Sequence, residues 1–439
     1  MLLLPAVLYA HARLTSSSPA DGAVLDAAPT EIRLTFSERP SVAVASVVLV
    51  VGSDSIHLSP VSVDTADRKT VIAPVSRALR PGVYQVVWRV ASRDGHPIRG
   101  AYSFVIEGMD VDSTGVSQTI AAVPAVPGQP QEIDTSMAFS GAVGSIIVRW
   151  LAFISIFLVI GAVTFKRFVL DRMDPSHSDT FVHIGATNAA TLGMVAAIGS
   201  VIATLLKFAR ESSDMPDVAA STLLFGSSWG IALFAHLLAG LVAIGAFKGA
   251  HSSNESSRGT AWSLAFAAAM VLGITPAFGG HAVAGDRAWI AVPADVIHVI
   301  AGSAWLGTLA VILIVGIPAA LKTPDDSRPG ARVARLINVF SPLALMCGGS
   351  VVATGLGSSV IRLPRVNALW TSPYGVILLI KLLFVVFLFA AGAWNWKRLK
   401  PRLTGDDAIS PLRSSAWLEV VLSGIVLGFT AILVALELP

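Results

Sequence analysis

The sequence predicts a multi-domain chain, with an N-terminal all-β, immunoglobulin-like sandwich outside the membrane and then an all-α polytopic membrane domain of about eight transmembrane helices. Three observations carry that reading. The 439 residues are 54% hydrophobic and only 13% charged, with a mean hydropathy of +0.71, too apolar on average for a soluble chain. Up to about residue 108, apolar and polar residues alternate and charge is ordinary. From about residue 142, apolar blocks of helical length follow one another to the end.

Taken in order, Met1–Ala10 is a short apolar run ending in small residues, which reads as a signal peptide over 1–10 although no basic residue precedes its core. The sandwich is expected over 11–108. Ile32, Leu34 and Phe36 alternate with Arg33, Thr35 and Ser37 as a half-buried strand requires, and further strand-like runs lie at 42–51, 70–73, 83–91 and 101–106. Turn signals at 19–22, 80–82 and 94–100 punctuate them at the spacing of a sandwich. Trp88 reads as a core aromatic, and His57, after Asp54 and Ser55, as a solvated surface histidine. Glu107–Ser136 is rich in Pro, Gly, Ser and acids without a period, which sets a flexible linker at 109–141.

The membrane domain follows over 142–437, with spans near 142–165, 182–206, 220–247, 261–279, 291–317, 333–358, 371–394 and 416–436. With the sandwich outside, the cytoplasmic loops hold fourteen Lys and Arg, from Lys166 to Arg413, against five on the other side: Lys207, Arg210, Arg287, Arg362 and Arg365. That asymmetry obeys the positive-inside rule for the cytoplasmic membrane of a bacterium, with the N-terminal domain extracytoplasmic.

Composition also excludes several function classes. A net charge of +3 leaves no basic surplus for a nucleic-acid partner. One cysteine, Cys347, allows neither an internal disulfide nor a thiol-clustered zinc or iron-sulfur site. No Walker A sequence and no phosphorylatable aspartate motif of an ion-pumping ATPase occurs, so no nucleotide and no enzymatic turnover is expected. The nine histidines are the ligands to follow.

Asp94-Gly95-His96 follows a strand, and its i, i+2 spacing in extended chain puts carboxylate and imidazole on one side. Such paired O and N ligands suit a divalent ion such as Cu(II) or Ni(II), although a polar turn would contain the same residues. Cleavage after Ala10 would make His11 a new N-terminus offering an amine and an imidazole, whereas Ala10-His11-Ala12 also permits cleavage after Ala12.

The run from His11 to Gly22, then Leu34-Thr35-Phe36-Ser37-Glu38, then Val90 to Phe104 with Asp94-Gly95-His96-Pro97, resembles the CopC family of extracytoplasmic copper-binding proteins over the whole first domain. The resemblance implies a Cu(II) site of His11, Asp94 and His96, with Glu38 beside them. A Met-rich Cu(I) segment found in some members has no counterpart, since no Met occurs between residues 2 and 108.

In the membrane half, His281 ends the fourth span after Pro276, and Asp295 and His298 follow at i, i+3 on one face of the fifth, with Trp305 two turns on. Gly280-His281, Asp295-Val-Ile-His298, Ala304-Trp305-Leu306-Gly307 and Ser372-Pro-Tyr374-Gly375 before Lys381 and Asn395 resemble the CopD family of copper-transport membrane proteins. A CopC-like part fused to a CopD-like part resembles proteins that import copper, which implies copper ion and lipid bilayer as partners and an extracytoplasmic copper donor as a candidate one. Deeper in the bilayer, His236, Met346 and Cys347 are soft ligands that could form an inner Cu(I) station. Arg149, Lys381 and Glu419 are the remaining intramembrane charges, each expected to find a local partner or to snorkel. Two other readings stay open: copper sequestration or sensing without transport, and a haem-b redox protein with His236 and His298 as axial ligands.

Overall fold

The computed structural model describes residues 13–37, 39–52, 54–91, 97–107, 135–173, 180–213, 220–226, 228–279, 287–322, 329–363, 365–399 and 409–436. The expected signal peptide, and the expected linker up to residue 134, lie outside the described residues.

The N-terminal part is a sandwich of two sheets. Strands β1 (Leu14–Ser18), β3 (Glu31–Phe36), β7 (Thr70–Pro74) and β6 (Ser62–Val63) make one sheet in the order β1-β3-β7-β6. The other has the order β2-β9-β8-β4-β5, from β2 (Val24–Leu25), β9 (Pro97–Ile106), β8 (Gly82–Ala91), β4 (Ser41–Val51) and β5 (Asp54–Leu58). Alternation in β3 works as expected: Ile32, Leu34 and Phe36 are buried while Glu31, Arg33 and Thr35 are partly exposed. Each such side chain contributes about 1.5–3 kcal/mol on burial. Trp88 is a core residue, edge-on to Phe36 across the two sheets at 5.2 Å between ring centroids. It faces Gly100 in register, and a Cβ at residue 100 would come within 2.5 Å of the indole. Burial also pushes the Tyr102 phenol up to about 12.

The rest of the chain has eight helices long and apolar enough to cross a membrane. They are α1 (Val143–Met173), α2 (Thr180–Ser213), α3 (Trp229–Gly249), α4 (Glu255–Phe278), α5 (Ala288–Lys322), α6 (Gly330–Ile361), α7 (Pro373–Arg398) and α8 (Ser410–Leu433). Arg149 near the start of α1 reaches Ala431 O near the end of α8, and Arg335 early in α6 reaches Met173 O at the end of α1. Odd helices therefore start, and even helices end, at one face of the bundle, called here the leading end.

Helix α5 is the central one, with 78% of its most apolar window buried against 11% for α7. It can approach α1 closely because Gly161 meets the backbone of Gly307, where any Cβ would overlap. Two π-helical segments, Ser303–Gly307 and Ile312–Gly316, widen α5, and others close α1 (Phe165–Leu170) and α7 (Asn395–Leu399). Exposed Trp289 and Trp370 lie toward the leading end, and exposed Trp394 and Trp396 toward the far end, as two interfacial belts require.

Two boundaries differ from the sequence reading. The third span starts at Trp229, because the chain breaks after a short helix at Ala220–Phe225 and Gly230 packs directly on the carbonyls of Leu223 and Leu224. The helical backbone that becomes α1 already begins at Thr135, within the stretch expected as linker.

Candidate functional site

Five strand ends meet at one end of the sandwich. Leu14 at the start of β1 pairs with Phe36 at the end of β3. Arg13 N–H donates to Ser37 Oγ at 2.9 Å, and Ser37 N–H donates back to Arg13 O at 2.8 Å. Ser41 at the start of β4 pairs with Ala91 at the end of β8, and Ala91 pairs with Pro97 at the start of β9. Register shifts interrupt β1–β3 between Leu14 and Ser16, and β4–β8 between Ser41 and Ser46, the kind of irregularity that gathers beside binding sites. The chain thus leads toward His11, Glu38, Asp94 and His96 from strand ends at this one edge. Those four residues lie outside the described residues. His57, by contrast, is exposed on the edge strand β5, opposite Val48.

The second constellation lies near the leading end of the bundle. Asp295 and His298 sit one turn apart on α5, and α6 holds both. Ser358 Oγ donates to Asp295 Oδ1 at 3.3 Å, and His298 Nδ1 lies 3.0 Å from Thr354 Oγ1. The Thr354 hydroxyl also lies 2.7 Å from Ser350 O of its own helix. Its contact with Nδ1 fixes the ring, as an outer partner orients a metal-binding imidazole. A Cβ on Gly355 would stand 3.3 Å from His298 Cε1, so the glycine keeps the ring's flank clear. Trp305, deeper on α5, is buried against the Phe389 ring at 5.0 Å. His281 lies outside the described residues, just beyond Gly279, which packs on Trp229 at the same end. Among the described residues no group of three or more His, Cys, Asp or Glu is close enough to hold a metal ion.

Residues 14–107 match the CopC domain family, 139–291 the copper resistance protein D-like N-terminal domain, and 334–433 copper resistance protein D. The chain belongs to the CopC/CopD fusion family. The copper transport protein CutJ of Bacillus subtilis is 24% identical over 92% of this chain and 71% of its own length. Copper resistance protein C of Pseudomonas syringae pv. tomato is 36% identical over 24% of this chain and 88% of its own. The crystal structure of PcoC, a methionine-rich copper resistance protein from Escherichia coli, is 32% identical with a TM-score of 0.21, covering 22% of this chain and all of that one. His11 precedes the matched CopC range, and Asp295 and His298 fall between the two CopD ranges.

Within the CopD part, the proposed inner grouping of His236, Met346 and Cys347 is not brought together. His236 on α3 is buried, with Nε2 2.9 Å from Ser200 Oγ of α2 and Nδ1 2.6 Å from Thr275 Oγ1 in the turn closing α4. Both ring nitrogens are thus engaged by hydroxyls, one of which an axial haem iron would have to displace. Cys347 on α6 is buried in the bundle core, whereas Met346 is 66% exposed. Successive residues on a helix diverge by about 100°, so these two cannot serve one ion.

The intramembrane charges have local partners: Arg149 donates to Ala431 O at 3.3 Å, and Glu419 accepts from Asn395 Nδ2. Sequence reading missed the hydroxyl and amide partners Ser200, Thr275, Thr354, Ser358 and Asn395. Their one visible signal was polarity on otherwise apolar helices.

Proposed function

We propose that this CopC/CopD fusion is a copper transport protein of the cytoplasmic membrane. Its extracytoplasmic sandwich captures Cu(II) with His11, Asp94 and His96, Glu38 lying beside them. The ion then passes to a station built around His281, Asp295 and His298 and moves inward. The observation that carries the reading is the Asp295–His298 pair, a carboxylate and an imidazole one turn apart on α5 and both oriented by hydroxyls of α6. It lies near the leading end of the bundle, where α1 begins and the sandwich connects. The names of the relatives, a copper transport protein and a copper resistance protein, support copper as cargo.

The excess of Lys and Arg at the far end supports an extracytoplasmic leading end. Inward movement of a cation gains about 2.3 kcal/mol per charge for each 100 mV of membrane potential, and tight cytoplasmic binding can supply the remainder. The chain's own residues do the rest: carboxylate and imidazole replace water around the ion, and the α6 hydroxyls fix their orientation.

The test is cytoplasmic copper, at low external copper, in cells lacking the protein, supplied with the wild type, or supplied with His281→Ala plus His298→Ala. Import predicts that only the wild type raises copper. Equal levels in all three, with Cu(II) still bound by the sandwich, would make the protein a binder or sensor instead.

A further inference from the structure

One buried polar pair belongs to neither copper station. Glu419 on α8 is 5% exposed and Asn395 on α7 is 9% exposed. Asn395 Nδ2 donates to Glu419 Oε1. The other end of the amide, Oδ1, is buried with no hydrogen-bond donor among the described residues, an unfavourable state where water is scarce. Asn395 opens the π segment Asn395–Leu399, a local widening that re-aims side chains and recurs at functional positions. Gly392, just before it on α7, leaves space beside the carboxyl: a Cβ there would stand 3.3 Å from Glu419 Oε2.

An ionised carboxylate only accepts hydrogen bonds, so it can satisfy the amide N–H but never the amide oxygen. Turning the amide over does not help, because Oδ1 would then face Oε1 and Nδ2 would lose its acceptor. A hydrogen on the carboxyl completes the pair, with O–H donating to Oδ1 while the amide N–H keeps Oε1.

Among the described residues no neighbouring charge does the same job. Helix α8 packs on α7, α1 and the Thr308–Gly316 part of α5, and that part of α5 carries no titratable side chain. On α7, Lys397 is exposed, Arg398 lies over the Trp394 ring at 5.7 Å, and Lys381 is about four turns before Asn395. Arg413 on α8 is exposed. On α1, Arg149 caps the Ala431 carbonyl, Lys166 and Arg167 pair with Asp171, and Arg172 lies over the Phe168 ring.

We propose that Glu419 and Asn395 form a proton-binding site, loaded and emptied from the helix end that carries Lys397 and Arg398. The carboxyl O–H bond forms as the proton arrives and breaks as it leaves, and no other bond changes. The site stands independently of copper, whereas its coupling to transport rests on the import reading above. By alternating between neutral and anionic states, the carboxyl adjusts the charge that a copper ion meets on crossing the bundle.

Infrared difference spectra of the full chain in lipid nanodiscs, taken between about pH 5 and about pH 9, test the site. A carboxyl C=O band is expected that Glu419→Gln removes. Asn395→Leu should keep the band but move it to higher frequency, since the C=O loses the amide N–H. A difference spectrum unchanged by Glu419→Gln overturns the site; should that variant not fold, an unshifted band in Asn395→Leu overturns it. Copper accumulation against pH tests the coupling, with a steep wild type and a flat Glu419→Gln expected. Equal pH dependence in both overturns the coupling. A wild type that accumulates no copper while keeping the band defeats the import reading and leaves the proton site standing.

Discussion

Thr354 holds the His298 ring through its Nδ1 edge, 3.0 Å away. Thr354→Val should therefore weaken copper binding at the membrane station about 10–100-fold, the usual effect of removing an outer partner of a metal-bound histidine, while Thr354→Ser retains it. Copper titration of the full chain with the sandwich site removed by His96→Ala reads this directly. The His96→Ala change alone should abolish tight Cu(II) binding by the sandwich, and unchanged affinity would sink the His11, Asp94, His96 assignment. A different residue governs the sandwich's response to acid. The Ala66 N–H and the Arg33 guanidinium hold the Asp64 carboxyl below its usual range, so the folded sandwich binds fewer protons there than the unfolded chain. Its stabilisation is present above about pH 4 and is lost as pH falls through the lowered value. The Tm difference between wild type and Asp64→Asn should accordingly close between about pH 7 and about pH 3, as followed by circular dichroism; a constant difference would refute it. Candidates such as His298, and Asp94 outside the described residues, stand in motifs that the chain alone displays. Thr354 and Ser358 do not, because a hydroxyl's role depends on the register between two helices, which no local pattern encodes.

Helices and strands follow the same division between local and non-local information. Strand β3 was legible because burial on one side imposes a period of two, whereas the two-residue strands β2 and β6 are too short to show any period. The eight spans were legible from apolar length, but the π segments within α5 were not, since they arise from how that helix fits its neighbours. Close helix approach is likewise a paired property. Gly161 lies against Gly307 with backbone on both sides, so Gly161→Ala must push α1 away from α5. Overpacking of this kind costs about 1–3 kcal/mol, and a thermal melt of the detergent-solubilised protein should show a lowered midpoint, with α5 and its Asp295–His298 pair displaced.

On the scale of the whole molecule, the sandwich and the bundle each have a hydrophobic core of their own, and the proposed function gives capture to one and passage to the other. If copper passes as proposed, a sandwich on the same chain as the bundle raises the local concentration of copper at the membrane station without any added contact. A chain beginning at Thr135 should therefore need at least about tenfold more external copper to reach the same cytoplasmic level, and identical dose curves would show that the sandwich is not a donor. The partition also leaves an optical signature. Trp88 is the one tryptophan among the first 149 residues, while the other nine follow in the membrane part. Its indole is buried beside Phe36, three residues before β8 ends and six before Asp94 in sequence. A paramagnetic d9 ion bound by Asp94 and His96, as proposed, would quench its emission. Replacing the nine membrane tryptophans by phenylalanine would thus turn the sandwich into its own fluorimeter, able to time the arrival and departure of the metal in the intact protein.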